Sequence, residues 1–88
     1  MVSVIMPFLD PPEPFFREAI QSIENQSCAN WELILVDDGS TSASTNIAVR
    51  SAEARPGRIR YIDHDGHRNL GISASRNLGI GASRGEFV

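Results

Sequence analysis

Two adjacent carboxylates that follow an apolar segment are the residues of this chain best placed to do chemistry. Asp37 and Asp38 come directly after residues 33–36 (Leu-Ile-Leu-Val), and Gly39 and Ser40 follow them. Such an apolar run is typical of a strand buried in a parallel sheet, and open α/β sheets bind ligands at the carboxyl ends of their strands. Because neighbouring carboxylates repel each other and are costly to bury, at least one should accept hydrogen bonds or approach a cation. This segment alone leaves equally open an Asx-type turn that caps the next helix.

A second candidate cluster lies in residues 69–79, which begin with Asn-Leu-Gly. If the segment after Gly71 is helical, Ser73, Arg76, Asn77 and Ile80 share one face near its amino end. Free N–H groups and the helix dipole favour an anion such as a phosphate there, and Arg76 can add a bidentate contact. The alternative is that Arg76 pairs with a carboxylate of the sheet and Asn77 simply packs.

The third candidate cluster is the tip of the first predicted strand, residues 7–10 (Pro-Phe-Leu-Asp). In a parallel sheet this tip lies beside the Asp-Asp pair. Phe8 and Leu9 are suited to form an apolar wall for a flat base, with Asp10 beside them. The proline-rich residues 11–14 delay the next helix and leave Asp10 free, although Asp10 could instead cap that helix.

One turn-rich loop contains His64, Asp65 and His67, which raises the question of a metal site. No second ligand pair at zinc spacing exists in the sequence, and exposed loop histidines are usually solvated. We therefore expect no metal site in this loop.

The elements that position these clusters alternate between strand and helix. Strands are predicted at residues 2–6, 32–36, 58–63 and from 86 onward, and helices at 14–26, 43–53 and 72–83. The first helix carries Phe16, Ile20 and Ile23 at helical spacing, Thr41 or Ser42 can cap the second, and Gly85 can close the third. The charged third strand should lie near a sheet edge. This order implies a parallel sheet with right-handed crossovers, whose last strand is cut short.

Composition narrows the class of protein. The chain has 88 residues, is 41% hydrophobic and carries a formal charge of −3, which fits one small soluble domain or a piece of a larger one. Nothing in this composition calls for a nucleic-acid partner. The single cysteine, Cys28, excludes an intramolecular disulfide and fits a reducing compartment, where it should serve as a small packing residue. With no apolar segment long enough to cross a bilayer and no signal peptide, the expected location is cytoplasmic.

Taken in order, the motifs of this chain strongly resemble those of the family 2 glycosyltransferases. They are residues 2–7 (Val-Ser-Val-Ile-Met-Pro), 26–27 (Gln-Ser), 31–41 (Trp-Glu-Leu-Ile-Leu-Val-Asp-Asp-Gly-Ser-Thr), 69–71 (Asn-Leu-Gly), 75–79 (Ser-Arg-Asn-Leu-Gly) and 85–88 (Gly-Glu-Phe-Val). The likeness covers almost the whole chain. It implies a GT-A fold, which is a three-layer α/β/α arrangement with a mostly parallel sheet and a Rossmann-like nucleotide-binding half, here truncated.

The resemblance also implies an activity and a set of site residues. Members transfer a sugar from a nucleotide-diphosphate sugar, commonly a UDP-sugar, to a hydroxyl of a saccharide or lipid-linked acceptor, as in cell-envelope polysaccharide biosynthesis. Asp38 corresponds to the residue that accepts the uracil imide N–H, with Asp37 beside it. The other nucleotide-binding positions implied are Pro7, Phe8, Asn69, Gly71 and Arg76. Asp10 and Ser42 depart from the family pattern: we still count Asp10 as a nucleotide contact, whereas Ser42 is expected only to cap a helix.

The remaining parts expected of such an enzyme are not in these 88 residues. The resemblance places a metal-binding Asp-x-Asp motif, for Mg²⁺ or Mn²⁺, after the strand that begins at Glu86, and the catalytic base of inverting members further on. Residues 1–88 are therefore expected to form an amino-terminal nucleotide-binding portion that is inactive alone and is membrane-associated only through other regions. It is also expected to self-associate through an unpaired strand edge and uncovered apolar helix faces. The alternative is a non-catalytic α/β module that binds a nucleotide or a protein. A response-regulator-like domain is disfavoured because it needs a lysine, and the chain has none.

Overall fold

The computed structural model describes residues 1–26 and 30–87, with the backbone alone for Glu86 and Phe87. Cys28 and the end of the Gln-Ser motif lie outside the described residues. The elements are β1 (Val2–Phe8), α1 (Glu13–Glu24), β2 (Trp31–Asp37), α2 (Ser42–Ala54), β3 (Ile59–Asp63), a 3-10 turn (Asp65–His67), α3 (Ile72–Ala82) and β4 (Glu86–Phe87). The predicted alternation of strand and helix is confirmed.

The four strands form one parallel sheet in the order β3-β2-β1-β4. The strand β2 lies in the interior and is buried along its whole length, as its apolar run predicts, and β3 lies at an edge. The register places Phe8 of β1 opposite Asp37 of β2, and Asp37 opposite Asp63 of β3. The loops that follow these three strands therefore start side by side at one edge of the sheet.

The first strand runs through Pro7 to Phe8, so the prediction that Pro7 stops it was wrong. The backbone groups of Val2 and Phe8 bond toward β2, because Val2 N–H donates to the Asn30 carbonyl and the Phe8 carbonyl accepts from Asp38 N–H. Backbone groups of successive strand residues face opposite neighbouring strands, so the backbone of Pro7 faces away from β2, toward the side of β4. There β4 pairs only with Val2 and Ser3, so the missing proline N–H costs no ladder hydrogen bond among the described residues.

Helices cover both faces of the sheet. One face packs against α1 and α2 around a core that includes Phe16 and Ile20 of α1 and Ile47 of α2. The opposite face carries α3, whose Gly79 lies so close to the sheet that an added Cβ would stand 2.5 Å from Ile5 Cγ2. The three-layer α/β/α arrangement expected of the resemblance is thus present, and the small residues of α3 permit the close approach. None of the described helices is long and apolar enough to cross a membrane.

The α3–β4 connection is fastened to the sheet by a buried carboxylate. Glu32 is fully buried, and its Oε2 accepts hydrogen bonds from the Ser3 hydroxyl at 2.5 Å and the Arg84 amide at 2.8 Å. Its Oε1 accepts from Arg84 Nε at 3.1 Å and lies 3.4 Å from an Arg60 guanidinium nitrogen. Gly85 N–H donates to the same Ser3 hydroxyl. Glu32 therefore fixes the turn from which β4 enters the sheet.

Candidate functional site

Asp37, the first carboxylate of the pair, holds the turn that follows β2. It is fully buried, and its oxygens accept hydrogen bonds from Ser40 N–H at 2.8 Å, the Thr45 hydroxyl at 2.6 Å and the Tyr61 hydroxyl at 2.8 Å. Burial alone would raise the pKa of Asp37, but these hydrogen bonds outweigh it and lower that pKa below its usual value. The Asx-type turn is therefore real, and Asp37 makes it.

Asp38, the second carboxylate, reaches across to the loop between β3 and α3. Its Oδ1 accepts hydrogen bonds from Leu70 N–H at 2.8 Å and Gly71 N–H at 3.1 Å, and its own N–H donates to the Phe8 carbonyl. In the part of the chain that the structure describes, no donor hydrogen-bonds to Oδ2. Asp38 thus joins the tips of β1 and β2 to the loop after β3, and keeps one carboxylate oxygen for another donor.

Asp10 lies at the same edge and ties the loop after β1 to the loop after β2. Its Oδ1 accepts hydrogen bonds from the N–H and the hydroxyl of Thr41, and its N–H donates to the Ser40 hydroxyl at 3.0 Å. The predicted side-chain cap on α2 is absent, because the Thr41 hydroxyl is directed to Asp10 and Ser42 is the first helical residue. Asp10 does not cap α1 either, since Pro12 occupies that position.

Pro7 and Phe8 end β1 at this edge, but the Phe8 ring faces the core. The ring is 5% exposed and lies 4.7 Å from the Phe16 ring, centroid to centroid. Phe8 and Leu9 were predicted to form an apolar wall. This prediction is wrong for Phe8, because its ring packs in the core, while Leu9 is exposed. The backbone of Phe8 still contributes to the edge through its bond to Asp38.

The second predicted cluster divides between the edge and the helix surface. Asn69 lies against the turn after β2, where an added Cβ on Gly39 would stand 3.0 Å from Asn69 N. Gly71 has a φ of 95°, a conformation that favours glycine, and immediately precedes α3. Arg76 is exposed one turn into α3, and no ion pair to it exists among the described residues. Gly71 therefore meets Asp38 and Asn69 meets the neighbouring Gly39, whereas Arg76 is exposed.

Both histidines form contacts that the sequence did not predict. His64 is buried, with Nε2 at 2.8 Å from the Ser75 hydroxyl and 3.7 Å from Asp38 Oδ1. His67 lies between Asp63, whose Oδ2 is 2.6 Å from Nδ1, and the Ser40 carbonyl, 2.7 Å from Nε2. The expectation that these loop histidines are merely solvated was wrong. Nothing in their spacing signalled these contacts, because their partners lie on other elements.

The three residues Asp37, Asp63 and His67 bring ligand-type atoms within 4.8 Å of one another, which raises the question of a cation there. The local hydrogen bonds do not fit this role. Both ring nitrogens of His67 face acceptors, and the Asp37 oxygens already accept three hydrogen bonds. A metal ion would have to displace these contacts, so this group serves to hold the loops together.

Two carboxylates thus lie at a strand tip, and a loop closes on one of them. The sequence relatives of the chain show the family to which it belongs. Residues 3–88 match the family described as glycosyl transferase family 2. The chain belongs to this family. Two relatives of this family 2 chain match its whole length. It is 41% identical over 88 residues to the uncharacterized glycosyltransferase EpsJ of Bacillus subtilis. It is 32% identical over 88 residues to the uncharacterized glycosyltransferase MJ1057 of Methanocaldococcus jannaschii. These matches cover 24% and 30% of the two relatives.

The chain is also similar to part of a much longer protein and to one solved structure. The chain is 39% identical over 62 residues, or 70% of its length, to 5% of the O-antigen biosynthesis protein RfbC of Myxococcus xanthus. Its fold matches the mannosyltransferase PcManGT of Pyrobaculum calidifontis, solved in complex with GDP-Man and Mn²⁺, with a TM-score of 0.78 at 22% identity. That match covers 94% of this chain and 24% of the other. The GT-A fold class is confirmed, and the chain spans less than a third of the length of these proteins.

Proposed function

We propose that this chain is the nucleotide-binding amino-terminal portion of a glycosyltransferase that moves a sugar from a nucleotide-diphosphate sugar to an acceptor hydroxyl. The observation that carries this proposal is the position of Asp38 at the carboxyl edge of the sheet. Its Oδ1 secures the loop at residues 69–71, and its Oδ2 has no donor among the described residues. A base that enters between these loops would complete the hydrogen bonding of this carboxylate.

The arrangement of donors on Asp38 supports a UDP-sugar. Uracil presents a single imide N–H, which one free carboxylate oxygen can accept. Guanine presents two neighbouring N–H donors, which suit a carboxylate with both oxygens free. Because two backbone amides already occupy Oδ1 of Asp38, the site is better matched to uracil. The related mannosyltransferase was solved with GDP-Man, so a comparison of the two nucleotides tests this point.

The diphosphate and the cation complete the proposal. Arg76 is accessible and sits on α3 one turn from its amino end, where a positive side chain and free N–H groups favour phosphate oxygens. Mn²⁺ accompanies the donor in the related structure. Since the Asp37, Asp63 and His67 group does not fit an ion, we assign Mg²⁺ or Mn²⁺ to an Asp-x-Asp motif beyond Val88 in the full protein. Bound there, the ion would neutralise charge on the leaving diphosphate.

The remaining residues of the proposed site shape it and hold its loops in place. Pro7, Phe8 and Asp10 shape the β1 side of the edge, Asp37 holds the turn that presents Asp38, and Asn69 and Gly71 form the loop that closes on it. We place the acceptor among saccharides or lipid-linked saccharides because one relative is named for O-antigen biosynthesis. The catalytic base and any membrane attachment are assigned to other parts of the protein, with the reaction on the cytoplasmic side.

Calorimetric titration of the chain with UDP and GDP tests the nucleotide site. Because a hydrogen bond to a charged group contributes about 1.5–3 kcal/mol, we expect Asp38→Ala to weaken UDP binding by roughly 10- to 100-fold. Glu18→Ala, which removes an exposed carboxylate on α1, is the matched control and should bind like the parent. An Asp38→Ala chain that is folded by circular dichroism and binds UDP as tightly as the parent would refute the role of Asp38. Tighter binding of GDP than of UDP would refute the choice of uracil.

A further inference from the structure

The turn between β3 and α3 adopts an unusual backbone conformation at a histidine. His67 has a φ of 54°, and Gly66 before it has a φ of 72°. Glycine adopts the left-handed region without cost, whereas a residue with a side chain occurs there only uncommonly. The His67 side chain is 42% exposed, so burial does not hold it in place. Its side-chain hydrogen bonds stabilise this turn together with the backbone bond from His67 N–H to the His64 carbonyl.

Both ring nitrogens of His67 contact groups that accept hydrogen bonds. Nδ1 lies 2.6 Å from Asp63 Oδ2, and Nε2 lies 2.7 Å from the Ser40 carbonyl oxygen. An ionised carboxylate and a carbonyl have no proton to donate, and a neutral imidazole carries only one N–H. Only the doubly protonated ring can donate to both partners. This geometry favours a positively charged His67.

The His67 contact is the first of three that join the β3–α3 loop to the turn after β2. Next along the loop, the Asn69 backbone lies against Gly39. After it, the Leu70 and Gly71 amides donate to Asp38. The loop therefore runs antiparallel to the turn from Ser40 to Asp38, and His67 anchors the end furthest from Asp38.

We propose that His67, as an imidazolium, is a positioning residue that clasps this loop to the Ser40 carbonyl and so holds residues 69–71 in register over Asp38. The inference rests on the proposed nucleotide site, because residues 69–71 are the part of the loop that would meet the base. His67 lies outside the proposed nucleotide pocket but controls how well the loop that forms the pocket is ordered.

The charges around His67 favour this state. Asp63 on β3 contacts Nδ1 directly, and Asp37 on β2 lies 4.0 Å from it, while the neighbouring Arg68 directs Nε to the Asp65 carbonyl. The hydrogen bond that His67 donates to the Ser40 carbonyl, and then the one that it donates to the Asp63 carboxylate, raise the pKa of His67 above its usual value. A raised pKa means that the clasp is present at low pH and is lost as the pH rises through that value.

An NMR titration without ligand tests the clasp. The chain has two histidines, so His67→Gln assigns the ring signals of the other. We expect His67 to titrate above the usual value of about 6.5, and the Leu70 and Gly71 amide signals to shift with the same midpoint. A His67 that titrates at or below this value, or amides that do not respond, would overturn the proposal.

Two carboxylates near His67 provide a matched pair of variants. Asp63→Asn removes the charge that contacts Nδ1 and should lower the pKa of His67. Asp65→Asn removes an exposed charge from the same turn without touching the clasp, and should leave the midpoint close to that of the parent. Equal effects of the two variants would show that general electrostatics rather than the contact controls His67, and would overturn the proposal.

The consequence for the nucleotide site is measured separately. Across the titration of His67, the dissociation constant for UDP should rise about fivefold in the parent and stay flat in His67→Gln, as expected for two coupled sites. A pH profile unchanged by His67→Gln would overturn the positioning role. If UDP does not bind the parent at any pH while His67 titrates as described, the nucleotide proposal fails and the clasp is supported.

Discussion

The buried carboxylate of Glu32 offers a sharp test of what holds this sheet together. Replacement by Gln keeps the shape of the side chain but removes its charge, and directs an amide N–H₂ group toward the donors that surround it. Ser3, Arg60 and Arg84 present two donors to each oxygen of this carboxylate, so replacing one oxygen by N–H₂ would turn two of the four hydrogen bonds into contacts between donors. Breaking one side of a buried ion pair is strongly destabilising.

The magnitude follows from the ionisation of Glu32. Burial would raise its pKa, but hydrogen bonds from the Ser3 hydroxyl and from Arg84 outweigh this and lower the pKa from 4.5 to about 2. At about 1.4 kcal/mol for each tenfold change in the acid dissociation constant, the charged form gains roughly 3 kcal/mol. The Arg84 side chain is 52% exposed, so solvent screens part of this interaction. We expect Glu32→Gln to lower the free energy of unfolding by about 2–3 kcal/mol.

Urea unfolding at several pH values measures this effect. Because the pKa of Glu32 is lower in the folded chain, its contribution is complete above pH 4.5 and is lost as the pH falls toward 2. The difference between parent and Glu32→Gln should therefore shrink over that range. Glu13→Gln, which breaks an exposed pair with Arg17, is the control and should change stability by less than about 0.5 kcal/mol. A Glu32→Gln chain as stable as this control at neutral pH would refute the reasoning.

Two other predictions concern the packing of α3 and the association of the chain with itself. Gly79→Ala should destabilise the fold by about 1–3 kcal/mol in urea unfolding, because the new Cβ would stand 2.5 Å from Ile5 and 3.1 Å from Val36. Gly81→Ala on the same helix meets nothing within 4 Å and should be neutral or slightly stabilising, so equal losses for the two variants would contradict this account of the packing. Self-association of the 88-residue chain remains a prediction, made because apolar side chains such as Ile72 (71%) and Phe15 (69%) are exposed; sedimentation of a folded monomer at high concentration would contradict it.

Local pattern was sufficient for the order of the elements and for the face that α1 buries. The continuous apolar run before Asp37 predicted a strand buried on both faces, and the spacing of Phe16 and Ile20 predicted the face of α1 that packs on the sheet. Helix and strand boundaries differed by a few residues, most clearly at Pro7. A proline is tolerated there because its missing N–H faces away from β2, which depends on how the backbone groups of β1 alternate between its two neighbouring strands.

Family motifs identified the edge that carries the candidate site, but not the part each residue plays. Phe8 was predicted to form a wall, and its ring packs in the core against Phe16 because β1 directs it toward α1. Asp10 was weighed as a nucleotide contact or a cap on α1; it does not cap α1 but binds Thr41 before α2, and its contact with a nucleotide stays a prediction. Glu32, an ordinary residue of a predicted strand, proved to be a buried anchor.

The sequence by itself therefore determined the α/β class, the parallel sheet and the edge where Asp37 and Asp38 lie, because periodicity and motif spacing are local properties of the chain. Only the tertiary structure divided the pair into an Asp37 that holds its own turn and an Asp38 that reaches residues 70 and 71. It also gave His67 two acceptors, from Asp63 and Ser40. Most of these contacts join residues far apart in sequence, and such partners are set by how the loops meet at the sheet edge.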